Sequence, residues 1–105
     1  MSASVLRTAV EIRNPRGLHL RFAADFMQKA RAFACTVVVE KDGQRVDGKS
    51  LWDLILLGAA PGCEVTIEVE GVDAVDALPD LVRQMNSIEV YESESEPGPA
   101  GSPSV

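Results

Sequence analysis

The single histidine of this 105-residue chain lies in the run Gly17-Leu18-His19-Leu20-Arg21-Phe22-Ala23, at the junction of a predicted strand and a predicted helix. That position suits phosphoryl chemistry. An imidazole can offer a ring lone pair as nucleophile, while the first backbone amides of the helix, its positive dipole end and Arg21 direct positive charge toward an attached phosphoryl group. Phosphorylation requires one ring nitrogen to be unprotonated, a state that histidine side chains reach near neutral pH. Arg21 is poorly placed for a helix, since a cation in the first turn costs about 0.3–1 kcal/mol, and a functional anion would offset that. Arg16 is a second basic candidate.

A second informative run is Asp47-Gly48-Lys49-Ser50-Leu51-Trp52. Ser50 followed by Asp53 has the form of a capping box, opening a short apolar helix that Gly58 ends. Cys35 and Cys63 show no metal-type spacing, and one histidine does not complete a usual zinc set. Reduced thiols are expected, with no disulfide, no metal and no cofactor.

The elements that must position these residues are legible from periodicity. Leu6, Thr8, Val10 and Ile12 alternate with polar or small residues, giving a half-buried strand that stops at Asn14-Pro15 and delivers the chain to His19. From Leu20 to about Ala32, residues Ala23, Phe26, Met27 and Ala30 fall at helical spacing. Val37, Val38 and Val39 form a second strand, and Asp42-Gly43 is a hairpin turn into a short strand over Gln44–Val46. Pro61-Gly62 leads into a fourth strand, where Val65, Ile67 and Val69 alternate with Glu64, Thr66, Glu68 and Glu70. A last helix starts near Asp73, and Pro79 beyond its first turn predicts a kink or a loosely wound start. The order βαββαβα predicts an α+β fold, a four-stranded antiparallel sheet with three helices on one face. Residues 1–90 form one domain in this reading. Residues 91–105 are rich in Ser, Glu, Pro and Gly, and a disordered acidic tail is expected there.

Size and charge exclude several classes. The chain has room for one small domain, and no apolar run approaches the roughly 20 residues of a membrane span. Without a signal-peptide pattern, a cytoplasmic protein is expected. Residues 1–33 carry six basic side chains (Arg7, Arg13, Arg16, Arg21, Lys29 and Arg31) against Glu11 and Asp25, so the net charge of −6 leaves −10 for the remainder. Nucleic acid is not expected as a partner of so acidic a domain. An acidic protein surface would be steered to the basic third that holds His19.

The His19 run resembles the active-site segment of the HPr family, the histidine phosphocarriers of the bacterial sugar phosphotransferase system, usually worded Gly-Leu-His-Ala-Arg-Pro-Ala. Leu20 replaces the alanine here and Phe22 the proline. The Ser50 run, continuing through Leu54-Ile55-Leu56-Leu57-Gly58, resembles the regulatory-serine segment of that family at the expected separation, and the likeness extends over about residues 5–88.

The resemblance implies an HPr-like open-faced β-sandwich and a carrier that is not itself an enzyme. His19 would take the phosphoryl group on Nδ1 from a phosphoenolpyruvate-dependent kinase, the first enzyme of the system, and pass it to sugar-specific acceptor domains. Arg21 would stabilise the phosphoryl charge. It further implies regulatory phosphorylation of Ser50 by a serine kinase/phosphorylase. It also implies a docking patch of Leu51 and Trp52, to which Phe22 would add its ring beside His19, on a monomeric protein. The alternative is a regulatory binding module controlled at Ser50 in a cell with an incomplete phosphotransferase system.

Overall fold

A computed structural model describes residues 5–89. The expectations for the tail at 91–105, and for the ends of the 1–90 domain, fall partly or wholly outside the described residues. The elements follow the predicted order: β1 (Val5–Glu11), α1 (Leu20–Arg31), β2 (Thr36–Lys41), β3 (Gln44–Asp47), α2 (Leu51–Leu57), β4 (Glu64–Glu70) and α3 (Ala74–Asn86).

The strands form one sheet in the order β1-β4-β2-β3, with every neighbouring pair antiparallel. Period-two alternation sends Val10, Val37, Val39, Val65, Ile67 and Val69 to the buried face. There they meet Phe22, Ala23, Phe26 and Ala30 of α1, Leu54 and Leu57 of α2, and Ala74, Ala77, Leu81 and Met85 of α3. All three helices therefore cover one side, and the other side is open. On that open face Arg7 bonds Glu68 at 2.7 Å and Arg45 bonds Glu68 at 2.9 Å, while Glu40 takes a second contact from each arginine. This lattice ties all four strands, although exposed pairs of this kind contribute little individually.

Local chemistry explains the connections. Asp42 and Gly43 both take positive φ, 51° and 84°, as a two-residue hairpin turn between twisted strands requires. Pro79 lies inside α3, which runs through it unbroken. The predicted loosening is at the start of that helix, where Ala74 and Asp76 donate to carbonyls three residues back, those of Gly71 and Asp73. The Asp73 side chain turns away from its own helix and accepts the amides of Ala34 at 2.7 Å and Cys35 at 2.9 Å, pinning the connection between α1 and β2. Those amides, Ala34 foremost, hold its carboxyl below the usual aspartate range. Burial, with Asp73 beside it, pushes the Cys35 thiol up. Cys35 and Cys63 precede the starts of β2 and β4, which run antiparallel, so the thiols stand at opposite ends of the sheet.

Candidate functional site

His19 is carried by a loop held to the fold at several points. After β1, Ile12 donates to the Cys63 carbonyl at 2.9 Å and its side chain is buried. Among the described residues Asn14 is the one buried polar residue: its amide nitrogen donates to the Gly17 carbonyl, and its oxygen accepts the Glu89 amide, both at 3.1 Å. Gly17 has φ 68°, and a Cβ on it would stand 2.6 Å from the Ala59 carbonyl oxygen. Only glycine meets both demands. The next residue, Leu18, is buried and donates to that same carbonyl at 2.9 Å.

The chain then enters α1 with His19 as N-cap, its backbone extended at φ −87° and ψ 179°. The first helical bond runs from the Ala23 amide to the His19 carbonyl at 2.7 Å. The amides of residues 20–22 thus stand upstream of the helical ladder, at the positive end of the dipole. The imidazole makes no capping bond, and no acidic residue lies in the first turn. The residue is half-buried with Nε2 fully covered. Arg16 and Arg21 are both exposed on either side of it. The opposite end of α1 carries Lys29 and Arg31, where cations favour the helix.

Phe22 requires a correction. Its ring is 0 % exposed and belongs to the core, so it forms no part of a docking patch. It lies one turn before Phe26 on the face that α1 turns to the sheet, whereas Met27 is only half-buried. In place of the family proline, Phe22 therefore supplies core volume and one more backbone amide at the helix start.

Helix α2 runs opposite to α1. Its C-terminal end lies against the His19 loop through the Leu18–Ala59 bond. Its N-terminal end lies near the finish of α1, where Arg31 Nε donates to the Lys49 carbonyl at 2.9 Å and Lys49 Nζ donates to that of Phe33 at 2.7 Å. Ser50 is thus at the end of α2 remote from His19. Its Oγ accepts the Asp53 amide at 3.3 Å, but the Asp53 carboxylate reaches the Asp47 amide rather than that of Ser50, so the capping box is half formed. Gly58 closes α2 at φ 67°, as expected of a C-terminal glycine.

Between these two ends α2 displays Trp52, 69 % exposed, and Leu56, 74 % exposed, one helical turn apart. Leu20, 59 % exposed, follows His19 directly. Leu51 is half-buried and packs against the core. The apolar strip thus consists of Trp52, Leu56 and Leu20, with Leu51 at its margin. Sequence reasoning misses Leu56 and Leu20, although Trp52 and Leu56 spaced i, i+4 opposite Leu54 and Leu57 carry the signal. Asn14 reads in the sequence only as the end of a strand. Among the described residues no group of His, Cys, Asp and Glu is arranged to hold a metal ion, and no helix is long and apolar enough to cross a membrane.

Residues 6–87 match the family described as the PTS HPr component phosphorylation site. The phosphocarrier protein HPr of Neisseria meningitidis is 38% identical over 82 residues, covering 78% of this chain and 92% of that one. The crystal structure of HPr from Bacillus anthracis superposes with a TM-score of 0.76 at 34% identity, covering 78% of this chain and 98% of that one. Crh of Bacillus subtilis, solved as a domain-swapped dimer, gives a TM-score of 0.63 at 41% identity over 72% of this chain and 87% of its own. With His19 and Ser50 in the two segments that carry the likeness, and the sheet and helices in the same arrangement, this chain belongs to the HPr family of phosphocarriers of the phosphotransferase system.

Proposed function

We propose that His19 accepts a phosphoryl group from a phosphoenolpyruvate-dependent protein kinase and hands it to a sugar-specific acceptor domain. One observation carries this reading: the imidazole stands at a helix start that has neither a side-chain cap nor an acidic residue in its first turn. Nε2 is buried, which supports Nδ1 as the nucleophilic nitrogen in this reading. Its lone pair attacks phosphorus, the bond from phosphorus to the donor's leaving group breaks, and that group keeps the electron pair. The product phosphoramidate gains stabilisation from the amides of residues 20–22 and from Arg21. The bond is labile enough for the group to be passed on.

In this reading the protein works in the cytoplasm as a monomer and presents Leu20, Leu56 and Trp52 to its partners. Aromatic anchors of this kind dominate interface energetics. Ser50, at the far end of the strip, is where a serine kinase/phosphorylase would add charge and weaken docking.

The test is incubation with phosphoenolpyruvate and the first enzyme of the system, followed by intact-mass measurement before and after acid treatment. An acid-labile gain of one phosphoryl group is expected, absent in His19→Ala. Labelling retained in that variant would end the reading at this residue. An acid-stable gain with ATP and a serine kinase alone would instead favour the regulatory module.

A further inference from the structure

We propose that Asn14 is a positioning residue for phosphoryl transfer at His19, oriented by the backbone amide of Glu89, so that the chain leaving α3 latches the loop that carries the imidazole. The latch is argued from hydrogen-bond geometry; its effect on transfer rests on the carrier reading above.

A carboxamide has a donor end and an acceptor end, and a half-turn of its terminal torsion interchanges them. Asn14, only 1 % exposed, uses both. Its Oδ1 accepts the Glu89 amide and its Nδ2 donates to the Gly17 carbonyl. Because Glu89 offers an N–H, the oxygen must face it, and the nitrogen is thereby turned toward Gly17. Without that donor nothing holds the carboxamide against the half-turn that sets its oxygen against the Gly17 carbonyl oxygen.

The orientation matters because of what Gly17 carries. The Gly17–Leu18 peptide is held on both sides: its carbonyl accepts from Asn14 Nδ2, and its N–H donates to the Ala59 carbonyl at 2.9 Å. The Gly17 amide donates to the backbone carbonyl of Asn14, also at 2.9 Å, so this one residue grips Gly17 twice. A glycine at φ 68° has no Cβ to restrict its backbone, and the peptide plane depends on these bonds. The next residue but one is His19, whose own carbonyl accepts the first bond of α1. Rotation of the plane would shift the imidazole and the amides of residues 20–22, and misplacement of about 1 Å is costly to a transfer reaction.

The other half of the latch is also fixed. Helix α3 ends at extended Ser87, whose hydroxyl donates to the Gln84 carbonyl at 2.7 Å, and Asn86 Nδ2 donates to the Glu11 carbonyl at 2.8 Å. The chain is thus laid across the end of β1 before Glu89 reaches Asn14. Glu89 itself is exposed, so its main-chain donor is the part the fold uses. The family match at 6–87 includes Asn14 but stops short of Glu89. No side-chain pattern marks the contact, since any residue except proline supplies the donor.

Proline at position 89 deletes that donor, and Ile88 lies outside any helix, where a following proline is accommodated. The experiment compares three full-length variants with the parent chain at 25 °C: Glu89→Pro, Glu89→Ala, which keeps the amide, and Asn14→Asp, which keeps the acceptor for Glu89 and loses the donor to Gly17. The ¹⁵N amide signals of Gly17, Leu18 and residues 20–22 should move in Glu89→Pro and stay in place in Glu89→Ala. In loading by phosphoenolpyruvate and the first enzyme, kcat should fall about fivefold in Glu89→Pro and in Asn14→Asp, the size expected for one ordinary hydrogen bond, with KM and the Glu89→Ala variant unchanged. A merely structural bond would lower the melting temperature and leave kcat of the folded chain untouched. Unmoved signals in Glu89→Pro, or the same movement in Glu89→Ala, would overturn the latch. A parental kcat in Glu89→Pro and Asn14→Asp would overturn the positioning role. A parent chain that takes no phosphoryl group would end the carrier reading and the positioning role together, with the latch still decided by the amide signals.

Discussion

Helices α1 and α2 begin alike, each with an extended residue passing the chain into a helix, yet they dispose of their first amides in opposite ways. At α2, Ser50 Oγ takes the Asp53 amide and Asp53 supplies a carboxylate to the first turn, so the helix start is satisfied from within. At α1, the N-cap is an imidazole without a capping bond, the first turn is free of acid, and an arginine occupies it. Sequence physics favours the α2 solution for stability. The α1 solution leaves positive potential and backbone donors for something outside the chain, above a loop anchored through Asn14, Gly17 and Leu18. The contrast separates a helix start built for the fold from one built for an anion.

Asn14→Ala should break this contrast most severely, because it removes the support from one helix start only. The Gly17 carbonyl and the Glu89 amide would lose their partner, at a cost of about 1–3 kcal/mol for buried groups left unsatisfied. Denaturant unfolding checks the loss. Amide exchange should quicken through residues 14–19 while the Ser50 amides stay protected.

The apolar strip between the two helix starts gives the next effect. Leu56→Ala and Trp52→Ala should each raise the KM for phosphoryl loading about tenfold, as loss of a buried interface anchor does. Their melting temperatures should change little, since exposed side chains contribute within about 0.5 kcal/mol. Leu51→Ala should show the reverse, losing stability more than docking.

Exchanging the caps sharpens the comparison further. Ser50→Ala should cost about 1 kcal/mol of stability, whereas His19→Ser should raise stability by up to about 1 kcal/mol by supplying the missing cap. Thermal unfolding of both variants reads the two opposite signs.

The third helix start offers the smallest effect. Asp73 caps not its own helix but the amides of Ala34 and Cys35, and these hold its carboxyl below the ordinary range. With the folded pKa depressed, the stabilisation is present above the unfolded value and is lost as pH falls through the folded one. Asp73→Asn should therefore destabilise the protein at neutral pH and flatten its acid-side melting profile.

Much of the fold is legible in the sequence, and particular residues explain what is not. The Asp42-Gly43 turn, the Ser50 cap and the alternation of β4 are local signals that tertiary structure had no reason to override. Phe22 escapes sequence reasoning because helical spacing sets the angles between residues but not which edge of the apolar stripe meets the sheet. Spacing draws the stripe through Met27, and the fold draws it through Phe22. The antiparallel course of α2, which removes Ser50 from His19, involves three long-range hydrogen bonds at Ala59 and Lys49 together with the core packing of Leu54 and Leu57. Asn14 and Asp73 likewise act on backbone groups distant in sequence, and no local pattern announces such a contact.

The most direct test of the central claim is ¹⁵N–³¹P NMR of the phosphorylated chain. The account predicts coupling of phosphorus to Nδ1 of His19, with downfield movement of the amide protons of Leu20, Arg21 and Phe22 and none at residues 50–53. Coupling to Nε2, or amides 20–22 that do not respond while those of the Ser50 turn do, would contradict it.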